Sequence, residues 1–449
     1  MRGRCRTARG PRAGAWSGRS STAVRLGAVA VVLATTAAVG PGVAAAAEEV
    51  SATPVPYAFA DGARSIEGAR STADATPLEP GTTYRSSLPG SGKVSYSLQL
   101  DSVSNAYVSV TAVPSPGSTV SVIDGLEVSV QDAEGNSCSF DSVPFGAARS
   151  PHPIAAWGMR EISPTKPLCR NAGAYYVTVE RADPEGEGSS PDPWDLEILA
   201  MTEPRTERAA ATGAPEAWNS ATPQPLQGTA ERRRGGAGFT GATPLDEGVW
   251  RDGIRPGQTL FYAVPVDWGQ QLAVTADLGS IESGATGYTS GALDLDLYNP
   301  ARGHVAEVNV GYDGDQNSGS LPPLAPVDHA NRNAAGGQVS AMRFAGSYYL
   351  AAHLAESVAD TFGEGPFNLT LRVRVSGEPE GGPVYAGESV PRGAFEVSDQ
   401  EREAAAEGVP VTGDDTAMRV VAVGGIGTGS ALLVGLGVWT VLARRRGVA

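Results

Sequence analysis

Five short blocks of this sequence occur twice, in the same order and with similar spacing, and this repeat constrains the fold more than any other feature. The matched blocks are 75–81 with 242–248, Arg85 and Tyr96 with Arg251 and Tyr262, 126–135 with 293–303, 172–177 with 345–350, and 193–198 with 366–371. Each copy is long enough to bury its own hydrophobic core. The repeat therefore predicts two copies of one domain, at residues 52–203 and 240–377.

Apolar and polar residues alternate within both copies. Examples are Val94, Tyr96, Leu98 and Leu100 in the first copy and Leu293, Leu295 and Leu297 in the second. Alternation with a period of two, bounded by Gly, Pro, Asn and Asp, is typical of antiparallel strands that bury one face. Each copy is therefore predicted to be an all-β sandwich with a dry inner face, and we expect its outer faces to be solvated.

The order of these blocks resembles the bacterial pre-peptidase C-terminal (PPC) domain. The resemblance rests on a Tyr-containing strand, a Leu-x-Leu-x-Leu strand running into a turn, an Ala-Gly-x-Tyr-Tyr strand and a final aromatic-x-Leu strand. It covers both copies and implies two tandem jelly-roll-like sandwiches. Domains of this family are accessory modules of secreted enzymes and surface proteins, and some bind a polymer or calcium. The resemblance implies no catalytic residue.

The N-terminus is typical of a secretory signal peptide. Residues 1–47 contain seven Arg and no acidic residue, and an apolar run after Arg25 leads into a series of small residues. We expect cleavage after Ala47, with Ala45 and Ala47 at the small-residue positions. An uncleaved N-terminal anchor is the alternative, although the apolar run is shorter than the roughly 20 residues that a membrane span needs.

The C-terminus is predicted to cross a membrane once. Residues 420–443 carry no charge, and a helix of that length exceeds a hydrocarbon core of about 30 Å. The cytoplasmic tail, 444–449, then begins with three stop-transfer residues, Arg444, Arg445 and Arg446. The rest of the chain would face outward, and the alternative is a buried helix of a soluble protein.

A pentapeptide precedes this span, formed by Val409, Pro410, Val411, Thr412 and Gly413. Pentapeptide, apolar span and basic tail together resemble the cell-wall sorting signal of Gram-positive surface proteins, whose usual motif is Leu-Pro-any-Thr-Gly. The resemblance implies that a sortase cleaves between Thr412 and Gly413. Because Val409 replaces Leu, two outcomes stay open: linkage to the cell wall, or a permanent membrane anchor, which we favour.

Two segments of different composition flank the second copy. Residues 204–239 are rich in Ala, Thr, Pro and Gln and are predicted to be a linker, and the acidic, Gly-rich residues 378–416 are predicted to be a stalk. Copies separated by such a linker are expected to unfold independently. The overall prediction is an all-β protein of two tandem antiparallel sandwiches with one C-terminal transmembrane helix.

Cys138 and Cys169 are the only cysteines after the predicted signal peptide. An exported chain meets an oxidising environment, so we predict that they form a disulfide. Two free thiols are the alternative. The second copy has no such pair, so the fold itself does not require the disulfide.

Nothing in the sequence indicates catalysis or a cofactor. The four His residues are scattered without metal-ligand spacing, and the Gly-rich run at 236–241 follows no strand and opens no helix. Calcium was considered at Asp294, Asp296 and the acidic turn at 313–319, but a solvated outer face explains these residues better. We predict no enzymatic activity, no cofactor and no metal site.

The charge argues against nucleic acid as a partner. The formal net charge is -15 even though the first 47 residues and the last six are basic, and binding nucleic acid requires Lys and Arg at the phosphates. We therefore predict a non-catalytic envelope protein for adhesion, scaffolding or an accessory role, whose extracellular ligand or partner protein is unidentified. The alternative is a module that binds extracellular polysaccharide or peptide, with or without the help of calcium. Its candidate aromatic residues are Trp157, Trp194, Trp250 and Trp268, of which Trp194 matches Phe367 of the second copy and fits a core position better.

Overall fold

A computed structural model describes residues 55–163, 166–183, 187–208, 213, 215–281 and 284–409. The predicted signal peptide with Ala45 and Ala47, residues 410–413 of the sorting pentapeptide, the apolar span and Arg444–Arg446 lie outside these residues. Among the described residues, no helix has the length and apolar character needed to cross a membrane.

The described part of the first copy contains ten strands. They are β1 (Arg64–Ser65), β2 (Thr76–Pro77), β3 (Thr83–Leu88), β4 (Lys93–Leu100), β5 (Asn105–Val113), β6 (Gly125–Asp132), β7 (Ser137–Pro144), β8 (Ile154–Arg160), β9 (Gly173–Arg181) and β10 (Trp194–Glu203). A short 3-10 helix, Thr72–Asp74, precedes β2.

The second copy contains ten more strands and short helices. The strands are β11 (Glu231–Arg232), β12 (Thr243–Pro244), β13 (Gly248–Ile254), β14 (Thr259–Val266), β15 (Gln271–Leu278), β16 (Thr289–Tyr298), β17 (His304–Tyr312), β18 (Asn317–Ser320), β19 (Gly346–Leu354) and β20 (Phe367–Ser376). The helices are a 3-10 turn at His329–Asn333, α1 (Gly337–Ala341), α2 (Val358–Phe362) and, after the sandwich, α3 (Asp399–Glu407).

The strands form four five-stranded sheets, two in each copy, with the same topology. Sheet A has the order β1-β3-β10-β5-β8 and sheet B the order β2-β4-β9-β6-β7. Sheet C has the order β12-β14-β19-β16-β17 and sheet D the order β11-β13-β20-β15-β18. Adding ten to each strand number of the first copy reproduces the second, so the structure confirms two tandem β-sandwiches. The two-residue strands pair in parallel with their neighbours, and the other pairings are antiparallel.

Each sandwich has its own core, formed by the inward residues of its two sheets. Equivalent tyrosines donate hydrogen bonds at equivalent places: the Tyr96 hydroxyl binds Ser86 at 2.7 Å, and the Tyr262 hydroxyl binds Asp252 at 3.1 Å. Burying a tyrosine requires such a partner for its hydroxyl group. The inner faces therefore agree with the predicted alternation.

The outer faces of sheets A and C differ from expectation because they pack against each other. Every residue of β5 except Val113 is buried, as is every residue of β16 except Ser290. Side chains that point away from the two cores meet in separate apolar clusters between the sandwiches. The layer order is therefore B, A, C, D, and the middle sheets are buried on both faces.

The segments flanking the second copy also contribute to this arrangement. Strand β11 lies within the segment predicted to be a linker, and Phe239, from the end of that segment, is buried between the sandwiches. In the segment predicted to be a stalk, Val390 and Thr202 exchange backbone hydrogen bonds, and Phe395 is 1% exposed. Helix α3 begins with a capping box at Ser398 and packs against β12 and β14. Residues 385–408 thus lie along the sandwiches rather than extending as a free stalk.

Candidate functional site between the two sandwiches

Aromatic side chains from both copies form one cluster between sheets A and C. Trp157 of β8 stacks on Tyr107 of β5, with ring centroids 5.8 Å apart, and Phe344 meets Tyr107 edge-on at 5.0 Å. Phe395 stacks on Phe344 at 4.5 Å. The Trp157 indole lies so close to Gly303 that a Cβ atom there would approach it to 2.3 Å, so only glycine allows this packing. The segment after the second sandwich therefore completes the contact between the two copies.

Among the described residues, three arginine–carboxylate pairs cross the same interface. Arg302 donates to Glu197 at 2.6 Å, Arg332 donates to Glu203 at 2.7 Å, and Arg343 pairs with Glu161. Glu203 also accepts hydrogen bonds from Asn105, Tyr107 and Tyr385. Burial alone would raise the pKa of Glu203, but the adjoining Arg332 guanidinium lowers it to about 2. In each pair the carboxylate comes from the first copy and the guanidinium from the second, so the faces are electrostatically complementary.

Two histidines from different copies stack beside these pairs. The rings of His152 and His353 lie 4.4 Å apart, and Ser150 contacts both of them. Nδ1 of His152 lies 2.8 Å from the Ser150 carbonyl oxygen, and Nε2 of His353 lies 2.8 Å from the Ser150 hydroxyl. Nδ1 of His353 lies 3.0 Å from the hydroxyl of Thr259. Burial lowers the pKa of both imidazoles, because a charged ring would lose its hydration here.

Carboxylates of β16 and β17 gather next to His152. A ring nitrogen of His152 and carboxylate oxygens of Asp294 and Asp296 all lie within 4.8 Å of one another. His304 Nε2 lies 3.2 Å from Asp296 and 3.9 Å from Glu307. Burial, followed by repulsion from Asp296, raises the pKa of Asp294 well above its usual range. These residues have the ligand types and the mutual distances of a metal site.

The burial of Asp294 and Asp296 corrects the expectation that they occupy a solvated face. Their exposed fractions are 8% and 6%, because sheet A covers them. The equivalent residues of the first copy, Glu127 and Ser129, lie on the uncovered outer face of sheet B and are partly exposed. Sequence reasoning missed the cluster because His152 belongs to the other copy. The Asp-x-Asp pattern on a strand was the available signal.

The predicted disulfide is confirmed. Cys138 of β7 is bonded to Cys169, which lies before β9, with a Cα–Cα distance of 5.7 Å. The other predicted site residues are not brought together in the described part of the chain. Val409 is exposed at its end, and the acidic turn places Asp313 and Asp315 on the surface.

The four candidate binding tryptophans are buried rather than exposed to solvent. Trp194 is 1% exposed in the first core, and Trp157 lies in the cluster between the sandwiches. Trp250 and Trp268 are 7% and 8% exposed. Strand β8, which carries Trp157, occupies the position that the shorter β18 has in the second copy. These four residues form no exposed aromatic platform.

An open cleft of about 830 Å³ lies at one edge of the second sandwich. Its lining includes Trp218, Trp268, His329, Asn331 and Glu380. Trp218 is partly exposed there. Burial, followed by the charge of Arg332, lowers the pKa of His329 to about 4. The cleft thus has a polar lining with one accessible indole.

No protein-family model and no curated protein matches the chain. Among solved structures, it is similar to the CBM22-1–CBM22-2 tandem of Paenibacillus barcinonensis Xyn10C, at 9% identity and a TM-score of 0.17, covering 63% of this chain and 82% of that one. It is also similar to the CUB1-EGF-CUB2 region of human MASP-1/3, at 9% identity and a TM-score of 0.16, covering 65% of this chain and 99% of that one. At these TM-scores the likeness carries no functional argument, and the resemblance to PPC domains stays a prediction.

Proposed function

We propose that this chain is a non-catalytic envelope protein that presents its two sandwiches at the cell surface as one rigid block, for adhesion, scaffolding or an accessory role. The observation that carries the proposal is the buried interface between sheets A and C. Two modules joined only by a flexible linker would change their relative orientation, whereas two modules docked through a buried interface keep it fixed.

Energetics support this rigidity. Separating the sandwiches would expose the aromatic cluster around Trp157 and would leave Glu197 and Arg302 without their partners. Separation would also return apolar surface to water, at a cost of roughly 25 cal/mol per Å². We therefore expect the two sandwiches to stay docked to each other at the cell surface.

The predicted segments at the two termini would place the protein at the cell envelope. The signal peptide would export residues 48 to about 416, and the apolar span with Arg444–Arg446 would hold the C-terminus in the membrane. Sortase linkage through Thr412 is the second route to the same surface. In both cases the block would stand outside the membrane.

Trypsin added to intact cells tests the proposal. Arg205 and Arg208 are exposed between the sandwiches and are cleavage sites. Because the second sandwich stays anchored and the first stays docked on it, we expect both cleaved halves to remain on the cell. After detergent extraction they should separate on a denaturing gel but co-elute in native gel filtration. Elution as two free halves would refute the rigid block, and full protection of intact cells would refute surface exposure.

The cleft around Trp218 favours a second candidate, binding of an extracellular polysaccharide or peptide. An accessible indole beside polar groups can stack on a sugar ring while the polar groups hydrogen-bond its hydroxyls. Affinity electrophoresis in gels containing wall polysaccharide distinguishes the candidates. Retardation that Trp218→Ala abolishes, and that Phe140→Ala outside the cleft preserves, would favour this second function.

A further inference from the structure

We propose that a divalent transition-metal cation of the Zn²⁺ type binds between the two sandwiches, ligated by His152 of the first copy and by Asp294 and Asp296 of the second. The three potential ligand atoms already lie within 4.8 Å of one another. Closing around a cation with bonds of about 2.0–2.2 Å requires only small side-chain movements. The site goes beyond the proposed function, which needs no metal.

His152 is arranged as a metal-ligating imidazole. Because the Ser150 carbonyl oxygen can only accept, Nδ1 of His152 carries the proton and donates to it at 2.8 Å. The lone pair then lies on Nε2, the nitrogen left for a cation. Ligating histidines typically donate their other ring N–H to a carbonyl or carboxylate in this way. Burial keeps the ring neutral, as a ligand must be.

Asp294 supplies the second, independent observation. Its side chain is 8% exposed, and its Oδ1 atom has no hydrogen-bond partner among the described residues. A buried carboxylate oxygen without a partner is costly, and buried carboxylates are normally paired, hydrogen-bonded or bound to metal. Here the carboxylate with the unpaired oxygen belongs to the cluster that contains a ring nitrogen of His152.

The surroundings of the site are rich in negative charge. Asp141 and Glu307 add two further carboxylates near His304. Among the described residues, His304 is the only group in ion-pair contact with Asp296 or Glu307. A divalent cation would relieve this imbalance. His304 would then act as a positioning residue that hydrogen-bonds Asp296.

The ligand set favours a transition metal over calcium. One imidazole nitrogen with two carboxylates matches Zn²⁺, whereas Ca²⁺ takes six to eight oxygen ligands. Because the ligands come from both copies, bound metal would fasten the sandwiches together. The site is not repeated in the first copy, where Glu127 and Ser129 stand at the positions of the two aspartates.

Calorimetric titration of the purified full-length chain, after treatment with chelator, tests the proposal. We expect ZnCl₂ to bind with a stoichiometry of one and to raise the melting temperature of both sandwiches. CaCl₂ at the same concentration should do neither. Absence of Zn²⁺ binding, or an equal response to Ca²⁺, would overturn the assignment.

Matched variants locate the site. Asp294→Asn and His152→Gln should abolish the stoichiometric binding, and Asp313→Asn, at an exposed aspartate, should preserve it. His304→Gln should weaken affinity by about 10–100-fold without changing the stoichiometry. Asp294→Asn keeps the size of a side chain whose Oδ1 has no partner among the described residues, so its metal-free form should melt no lower than the wild type. Unaltered Zn²⁺ affinity in Asp294→Asn would overturn the proposal.

Discussion

Arg302 donates a hydrogen bond to Glu197 at 2.6 Å across the interface between the two copies, and both side chains are buried. Glu197 also accepts from the Tyr57 hydroxyl and from the backbone N–H of Ala60. The carboxylate is thus engaged by groups from two other parts of the chain, the segment at Tyr57 and Ala60 and the turn that carries Arg302. This ion pair joins two domains that, judged from the repeat alone, could fold independently of each other.

Arg302→Ala should lower the free energy of unfolding by about 3–5 kcal/mol, because it leaves Glu197 buried with an unpaired charge. Chemical denaturation measures the change. The control is Arg64→Ala, which breaks an exposed pair with Glu79 and should cost less than about 1 kcal/mol. Equal effects of the two substitutions would show that the buried pair contributes no more to the free energy of unfolding than the exposed pair.

Removing the disulfide with Cys138→Ala and Cys169→Ala should destabilise both sandwiches, in contrast to the independent unfolding expected from a linker. The loss should be roughly 3 kcal/mol for a loop of this length. Because the interface couples the copies, hydrogen exchange should accelerate in β19 of the second copy as well as in β9 of the first. Acceleration confined to the first sandwich would mean that the interface does not couple them.

Acid should weaken the interface through Glu203. Its folded pKa, about 2, lies below the ordinary value of 4.5, so its contribution is complete above pH 4.5 and is lost as the pH falls toward 2. Glu203→Gln should therefore lower stability at neutral pH and flatten its decline below pH 4.5. Urea titrations at several pH values measure this slope. Glu79→Gln, at an exposed residue, should leave the slope as in the wild type.

Phe395→Ala should destabilise the block by about 3–5 kcal/mol, since it removes a buried ring that stacks on Phe344. Val384→Ala, at a residue that is 65% exposed in the same segment, should change stability by about 0.5 kcal/mol or less. Thermal melts of both variants make the comparison. A harmless Phe395→Ala would indicate that this segment only rests on the surface.

Detergent alone should release the full-length protein, with Arg444–Arg446 attached, from the cell envelope. A helix in lipid is extracted by detergent, whereas a chain bonded to peptidoglycan is not. C-terminal peptide mapping of the released protein identifies its end. Release only by muramidase, with a peptide ending at Thr412, would instead show that Val409 is accepted by a sortase.

Much of the fold could be predicted from local patterns. The alternation through Val94, Tyr96 and Leu98 marks which side chains face the core, because successive residues of a strand point to opposite faces. The repeat then showed that the second copy has the same architecture. The disulfide followed from the number of cysteines, since Cys138 had no other partner available after the signal peptide.

The candidate site could not be predicted in the same way. Alternation identifies the apolar face of a sheet but does not reveal whether the opposite face meets water or another sheet. Asp294 and Asp296 read as solvated residues because His152, their neighbour, lies more than a hundred residues away in the other copy.

The sequence by itself determined two sandwiches, their strands and their disulfide, because these depend on side-chain periodicity and on few possible pairings. Only the tertiary structure decided that sheets A and C face each other. That choice depends on apolar side chains from both copies, whose burial favours docking, and on complementary groups such as Glu197 and Arg302, which meet only in one orientation of the two sheets. The same docking buries Asp294 beside His152 and so creates the proposed metal site.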